Sequence, residues 1–217
     1  GYVKNKVMEF VGPGVASLSA DCRNGIDCMT TETTCWSSIW QTDGVTEEYL
    51  AGHGRADAYK ELKPADVAYY DGCIELDLSK IECMIALPMH PSYAYPIREL
   101  KANAKDLLHE IETRANEQLS GKVKMDLVSK VRADGSIYVD QGIVAGCSGG
   151  TYENLCAVAD ILRGKSCGNG EFKFSAYPDS MPTYLELVKN GAVADILSAG
   201  DIFRECFCGP CFGAGDT

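Results

Sequence analysis

The stretch from residue 138 to residue 206 leaves this chain the least freedom. Tyr138 to Ala145 reads as a strand, and Thr151 to Arg163 as a helix closed by Gly164. Phe172 to Ala176 is a second strand, Pro182 to Leu197 is helical with a break at Asn190-Gly191, and Ile202 to Cys206 is a third strand. Strands alternating with helices imply a parallel sheet with helical crossovers, since parallel neighbours cannot be joined by a tight turn. Such sheets bind ligands outside the carboxyl ends of their strands. The loops after Ala145 and Cys206 are therefore where chemistry is expected.

The first half is less regular. Val7 to Val11 reads as a strand stopped by Gly12-Pro13-Gly14, and Val15 to Thr34 as short helices and turns. Thr46, Glu47 and Glu48 open a helix running towards Gly52, while Ile74 to Leu78 alternates with period two and predicts a half-buried strand. Pro88, Pro91 and Pro96 punctuate a stretch that reads as a linker. Arg98 to Leu119 follows as a charged helix with Leu100, Leu107, Leu108, Ile111 and Ala115 along an apolar stripe. The expected fold class is α/β, with two three-layer units and largely parallel sheets. Residues 1–88 would form the first unit, 89–97 a Pro-rich linker, and 98–217 a second, incomplete unit.

Composition narrows the partners. A chain of 217 residues can bury a full core, and a net charge of −11 argues against nucleic acid and against an anionic membrane surface. No apolar run reaches the roughly 20 residues that span a bilayer. There is no secretory signal, and the first residue is Gly, which suggests a processed chain or a piece of something longer. The 11 cysteines cannot all pair within one chain. Cys28, Cys35, Cys73, Cys83 and Cys156 lie among apolar residues and are expected to pack as small hydrophobes. A reducing cytoplasm suits this usage.

The remaining cysteines carry the chemistry. Cys208-Gly209-Pro210-Cys211 can be a redox dithiol or a pair of metal ligands. A dithiol of the thioredoxin kind sits at the start of a helix, and the Gly-rich Phe212–Thr217 segment is too short for one. The pair therefore leans towards metal. Gly146-Cys147-Ser148-Gly149-Gly150 follows a strand and precedes a helix, but carries no Lys-Ser/Thr pair and is not a P-loop. Cys147 as a nucleophile would need a histidine base, and His53, His90 and His109 show no local signature tying them to it. If the strands ending at Ala145 and Cys206 are neighbours, Cys147, Cys208 and Cys211 converge at one carboxyl edge. Three soft thiolates suit zinc or an iron–sulfur cluster. A structural zinc wants a fourth ligand, for which Cys206 is a candidate, whereas a cluster held by three cysteines leaves one iron open. Gly12-Pro13-Gly14-Val15-Ala16-Ser17 lacks the third glycine of a dinucleotide loop and reads better as a tight turn.

Gly12-Pro13-Gly14-Val15, Gly146-Cys147 with Tyr152-Glu153, Phe174-Ser175-Ala176-Tyr177-Pro178-Asp179-Ser180 and Cys208-Gly209-Pro210-Cys211-Phe212-Gly213 resemble, in order and rough spacing, the aconitase family. The resemblance runs over nearly the whole chain. It implies that Cys147, Cys208 and Cys211 hold a 4Fe–4S cluster whose open iron binds a hydroxy-carboxylic acid such as citrate or isocitrate. Met29 to Thr34 is similar to the family segment that carries an active-site glutamate, which makes Glu32 the catalytic candidate. Cys28 stands where the family pattern has an asparagine, and Ser148-Gly149-Gly150 replaces a Thr-Asn-Ser type run; both point to a divergent hydratase. The resemblance further implies a central piece, corresponding to domain 2 and part of domain 3. Its remaining active-site groups would belong to the other domains of the parent chain. The fragment alone is expected to be inactive and, isolated in air, to lack its cluster. Two other readings stand beside it: a metal- or thiol-stabilised α/β binding module, and a cysteine-based redox protein or hydrolase.

Overall fold

A computed structural model describes residues 1–216. In chain order the elements are β1 (Val7–Phe10), α1 (Ala20–Glu32), β2 (Ser37–Trp40), α2 (Gly44–Gly52), β3 (Met84–Ala86), β4 (Ala94–Pro96), α3 (Ile97–Ala102) and α4 (Ala104–Gln118). There follow β5 (Gln141–Val144), α5 (Gly146–Gly149), α6 (Tyr152–Leu162), β6 (Lys173–Ala176), α7 (Met181–Lys189), α8 (Ala192–Ser198) and β7 (Ile202–Phe203). Single 3₁₀ turns, among them Pro13–Ser17 and Gly209–Phe212, fill several connections. Among the described residues no helix is long and apolar enough to cross a membrane.

The chain forms two compact units, divided differently from the sequence expectation. One joins Gly1–Glu75 to the segment from Gln141 onward, and the other is Leu76–Asp140. The first unit contains the parallel sheets. β1 pairs with β2, and β5, β6 and β7 form a parallel sheet in that spatial order. Leu155 and Ala159 of α6, Leu187 of α7 and Ile196 of α8 are almost wholly buried with Ala176 of β6, and half-buried Val144, Phe174 and Phe203 complete this core. Truncating one of its large members to Ala would cost about 2–5 kcal/mol. β6 lies between β5 and β7, so the strands carrying the two cysteine loops are not neighbours, and the condition set on them from the sequence is not met.

Capping explains α1. Residues 15–34 were expected to break into short helices, but the Ser19 hydroxyl accepts the Cys22 amide and starts one helix of 13 residues. Asp43 caps α2 in the same way through the Thr46 amide. Arg23 of α1 is only 5% exposed. Its guanidinium pairs with Asp43 at 2.8 Å and donates to the Val15 carbonyl at 2.8 Å. That ion pair holds the Asp43 carboxyl below its ordinary range. The turn at Gly12-Pro13-Gly14 is thus tied to α1 by Arg23 through a carbonyl, a structural use of the motif.

The second unit is not a parallel α/β layer. Its strands β3 and β4 pair antiparallel, with Met84 opposite Pro96 and Ala86 opposite Ala94. The proline-marked segment therefore contains a hairpin strand where a linker was expected. Pro96 tolerates the place because it ends its strand and begins α3. The expected helix from 98 to 119 breaks at Asn103 (φ −128°, ψ 33°), giving α3 and α4. Leu87, Leu100, Leu108 and Ile111 form this unit's core with Tyr93 and Tyr95.

Two further expectations fail. Residues 74–77 form no strand, and Ile74 and Leu76 are 61% and 66% exposed. Alternation without a ladder partner does not make a strand. Among the cysteines expected to be packed inside, Cys73 and Cys83 are exposed and Cys28, Cys35 and Cys156 are half-buried.

Candidate metal centre

The elbow carrying Cys147 follows β5. Gly146 adopts φ +81°, and a Cβ at that position would lie 2.8 Å from the Cys211 Sγ. Gly fits here on both counts, because an L side chain would be strained and would also push the sulfur away. Gly150 ends the elbow against the loop after β6: the Asp179 amide donates to its carbonyl at 2.9 Å. A Cβ on Gly150 would come within 2.1 Å of the Tyr177 carbonyl. The Cys147 turn is therefore clipped, backbone to backbone, to the end of the central strand.

The second cysteine loop leaves β7. The Arg204 amide donates to the Ala176 carbonyl at 2.9 Å, and a 3₁₀ turn over Gly209–Phe212 follows with Pro210 in its first turn. The Cys211 amide reaches the Cys208 carbonyl at 3.1 Å. Asp216 then ties the tail back. Its carboxylate accepts from the Tyr177 hydroxyl at 2.7 Å and from Arg204 Nε at 3.1 Å, and its other oxygen meets the Arg204 Nη2. Hydrogen bonds from Ser175 and Tyr177, with the Arg204 guanidinium, pull the Asp216 carboxyl down to about 2.

The thiols interact across the two loops. Burial raises the Cys211 thiol, and the neighbouring Cys208 thiol, Cys147 and the Glu32 carboxylate each push it further up. The residue is open to solvent, but its sulfur is turned in against Gly146. Glu32 is the last residue of α1. The loops carrying Cys147 and Cys208–Cys211 thus meet at the carboxyl end of the sheet, where the Cys211 sulfur faces Gly146. Cys28, which sequence reasoning assigned to packing, joins them: its Sγ lies 3.6 Å from the Cys147 carbonyl oxygen. Burial and a hydrogen bond with Cys147 raise the Cys28 thiol to about 11. The Cys206 thiol, weighed as a fourth ligand, is raised by burial and by Asp179 and Glu205. Among the described residues, no three His, Cys, Asp or Glu side chains converge on a single ion.

The histidines stand elsewhere. His90 and His109 belong to the second unit, and His53 Nδ1 lies 2.8 Å from the Tyr49 carbonyl on α2. Sequence reasoning missed the Arg204–Asp216–Tyr177 link and the approach of Cys28 to Cys147, because both depend on contacts distant in the chain.

A family model described as the aconitase family (aconitate hydratase) matches residues 1–217. The chain belongs to the aconitase family. It is 28% identical over 208 residues to the 3-isopropylmalate dehydratase large subunit of Clostridium beijerinckii, covering 96% of this chain and 41% of that protein. It is 29% identical over 206 residues to the 2,3-dimethylmalate dehydratase large subunit of Eubacterium barkeri, covering 95% of this chain and 41% of that one. The chain spans about two-fifths of the length of these aconitase-family relatives.

Proposed function

We propose that this chain is part of a hydro-lyase that removes water from, and returns it to, a hydroxy-carboxylic acid, with Cys147, Cys208 and Cys211 as ligands of a 4Fe–4S cluster. One observation carries this reading: the Cys211 sulfur faces Gly146, so the loop of Cys208 and Cys211 lies directly against the Cys147 elbow. The residues suit such a group. The donors are soft thiolates, and Gly146 leaves room for the Cys211 sulfur. When bound, the cluster supplies an iron able to act as a Lewis acid towards a hydroxyl group. This chain's own part is to hold the three thiolates on fixed loops and to place the Glu32 carboxylate beside them, where it can hold or move a proton.

The substrate class follows from the relatives. Their names point to substituted malates, so we assign a malate-type hydroxy acid before citrate or isocitrate. The parent would also pair with a small subunit, as the large-subunit names of those relatives suggest. The groups that grip the substrate carboxylates would come from the rest of the parent chain and that subunit, which leaves this chain inactive alone. A reducing cytoplasm would keep the thiols free for iron.

Anaerobic reconstitution of the chain with iron and sulfide tests the reading. About four irons and four sulfides per chain are expected, with a broad visible absorption, lost in Cys147→Ser, Cys208→Ser or Cys211→Ser. Stoichiometric zinc binding without sulfide uptake would replace this reading with a zinc-stabilised module.

A further inference from the structure

Helix α1 packs onto the Cys147 elbow at an unusually bare point. A Cβ on Gly25 would meet Ser148 Oγ at 3.4 Å and the Ser148 carbonyl at 3.5 Å, and Ser148 Oγ donates to the Gly25 carbonyl at 3.1 Å. Cys28 lies three residues further along α1, on the same face of the helix. That spacing carries its sulfur to the elbow, 3.6 Å from the Cys147 carbonyl oxygen. Both sulfurs have a route to reagents, since Cys147 is exposed and Cys28 half-buried.

We propose that Cys28 and Cys147 form a reversible disulfide when the chain lacks its cluster. With hydrogen peroxide as oxidant, the two S–H bonds break, one S–S bond forms, and the peroxide takes up both electrons and both protons to leave as two molecules of water. A small-molecule dithiol reverses the step by exchange and is itself oxidised to its disulfide. The consequence rests on the cluster reading: a Cys147 sulfur held by Cys28 is withdrawn from the ligand set, so cluster insertion must wait for reduction.

The test is a disulfide map of the reduced, cluster-free chain after peroxide treatment. Free thiols are blocked by alkylation, and peptides are identified by mass with and without a reducing agent. The expected product is a Cys28–Cys147 linked peptide that disappears on reduction. In Cys28→Ser, an isosteric change that spares the helix, Cys147 should be recovered alkylated or over-oxidised and never linked to position 28. Cys147 recovered alkylated from the wild-type chain, or joined to Cys208 or Cys211, overturns the proposal; a Cys208–Cys211 disulfide forming alongside Cys28–Cys147 leaves it standing. Iron and sulfide uptake by the fully reduced chain is measured in parallel. Its failure would sink the cluster reading while the disulfide map still decides the thiol pair.

Discussion

The Asp216 clamp gives the sharpest quantitative expectation. The tail carrying Cys208 and Cys211 begins at Arg204 and is tied down at Asp216, and the two residues pair with each other and with Tyr177. Asp216 is held at about 2 against an ordinary 3.8. At about 1.4 kcal/mol for each pKa unit, that difference is worth roughly 2 kcal/mol. The Asp216 side chain is 14% exposed but its Arg204 partner is 41% exposed, so solvent screening brings the expectation to roughly 1–2 kcal/mol. The folded-state value is depressed, so this stability is fully present above the ordinary carboxylate value and is lost as the pH falls from about 4 towards 2.

Asp216→Asn should therefore lower the urea-unfolding free energy at pH 7 by roughly 1–2 kcal/mol, and the gap to wild type should close as the pH falls towards 2. Tyr177→Phe should cost a similar amount, because Tyr177 is 3% exposed and donates its hydroxyl to the same carboxylate. The double variant should cost less than the sum, since one charged hydrogen bond would otherwise be counted twice. Equal stabilities at pH 7, a gap unchanged at pH 2.5, or strict additivity would refute the clamp as an energetic unit.

Other perturbations test separate parts of the design. Gly146→Ala should leave circular dichroism nearly unchanged, cost about 1–2 kcal/mol for the left-handed backbone, and reduce iron uptake by crowding the Cys211 sulfur at 2.8 Å. Gly150→Ala meets backbone at 2.1 Å, which no rotamer relieves, so proteolysis should reveal an unfolded first unit. Asp43→Asn strips the counter-charge from Arg23, whose side chain is 6% exposed, and should cost about 3 kcal/mol or more in chemical denaturation. That penalty should appear at neutral pH and shrink under acid conditions that also neutralise the wild-type carboxyl.

Local chemistry was legible wherever it was self-contained. The β5–α6–β6–α7–α8–β7 order, the break at Asn190-Gly191 and the cysteine loops after the first and third strands all follow from periodicity and punctuation within a few residues. What escaped depended on partners elsewhere. Ser37 to Trp40 has little strand character, but β1 offers it a parallel ladder from Val7 to Phe10, and the Trp40 indole donates to Asp27 at 2.7 Å. Ile74 to Leu78 has the better alternation and finds no ladder. Pro96 looked like a breaker, and it is also the last residue of a hairpin strand.

The site shows the same division more sharply. Predicting that Cys147, Cys208 and Cys211 converge required β5 and β7 to be neighbours, and they are not, because β6 lies between them. The loops meet anyway, for reasons residue types alone could not supply. Gly150 lets the first loop lean across the end of β6 onto Tyr177 and Asp179, while Arg204 and Asp216 pull the second loop back onto Ala176 and Tyr177 from the other side. The central strand is therefore the bridge that spaces two thiol loops across its carboxyl end. Under the proposed cluster reading, that spacing suits thiolates that would surround a group larger than one ion. Asp216→Asn, which loosens the second attachment while leaving every cysteine in place, should lose iron uptake before it loses the fold.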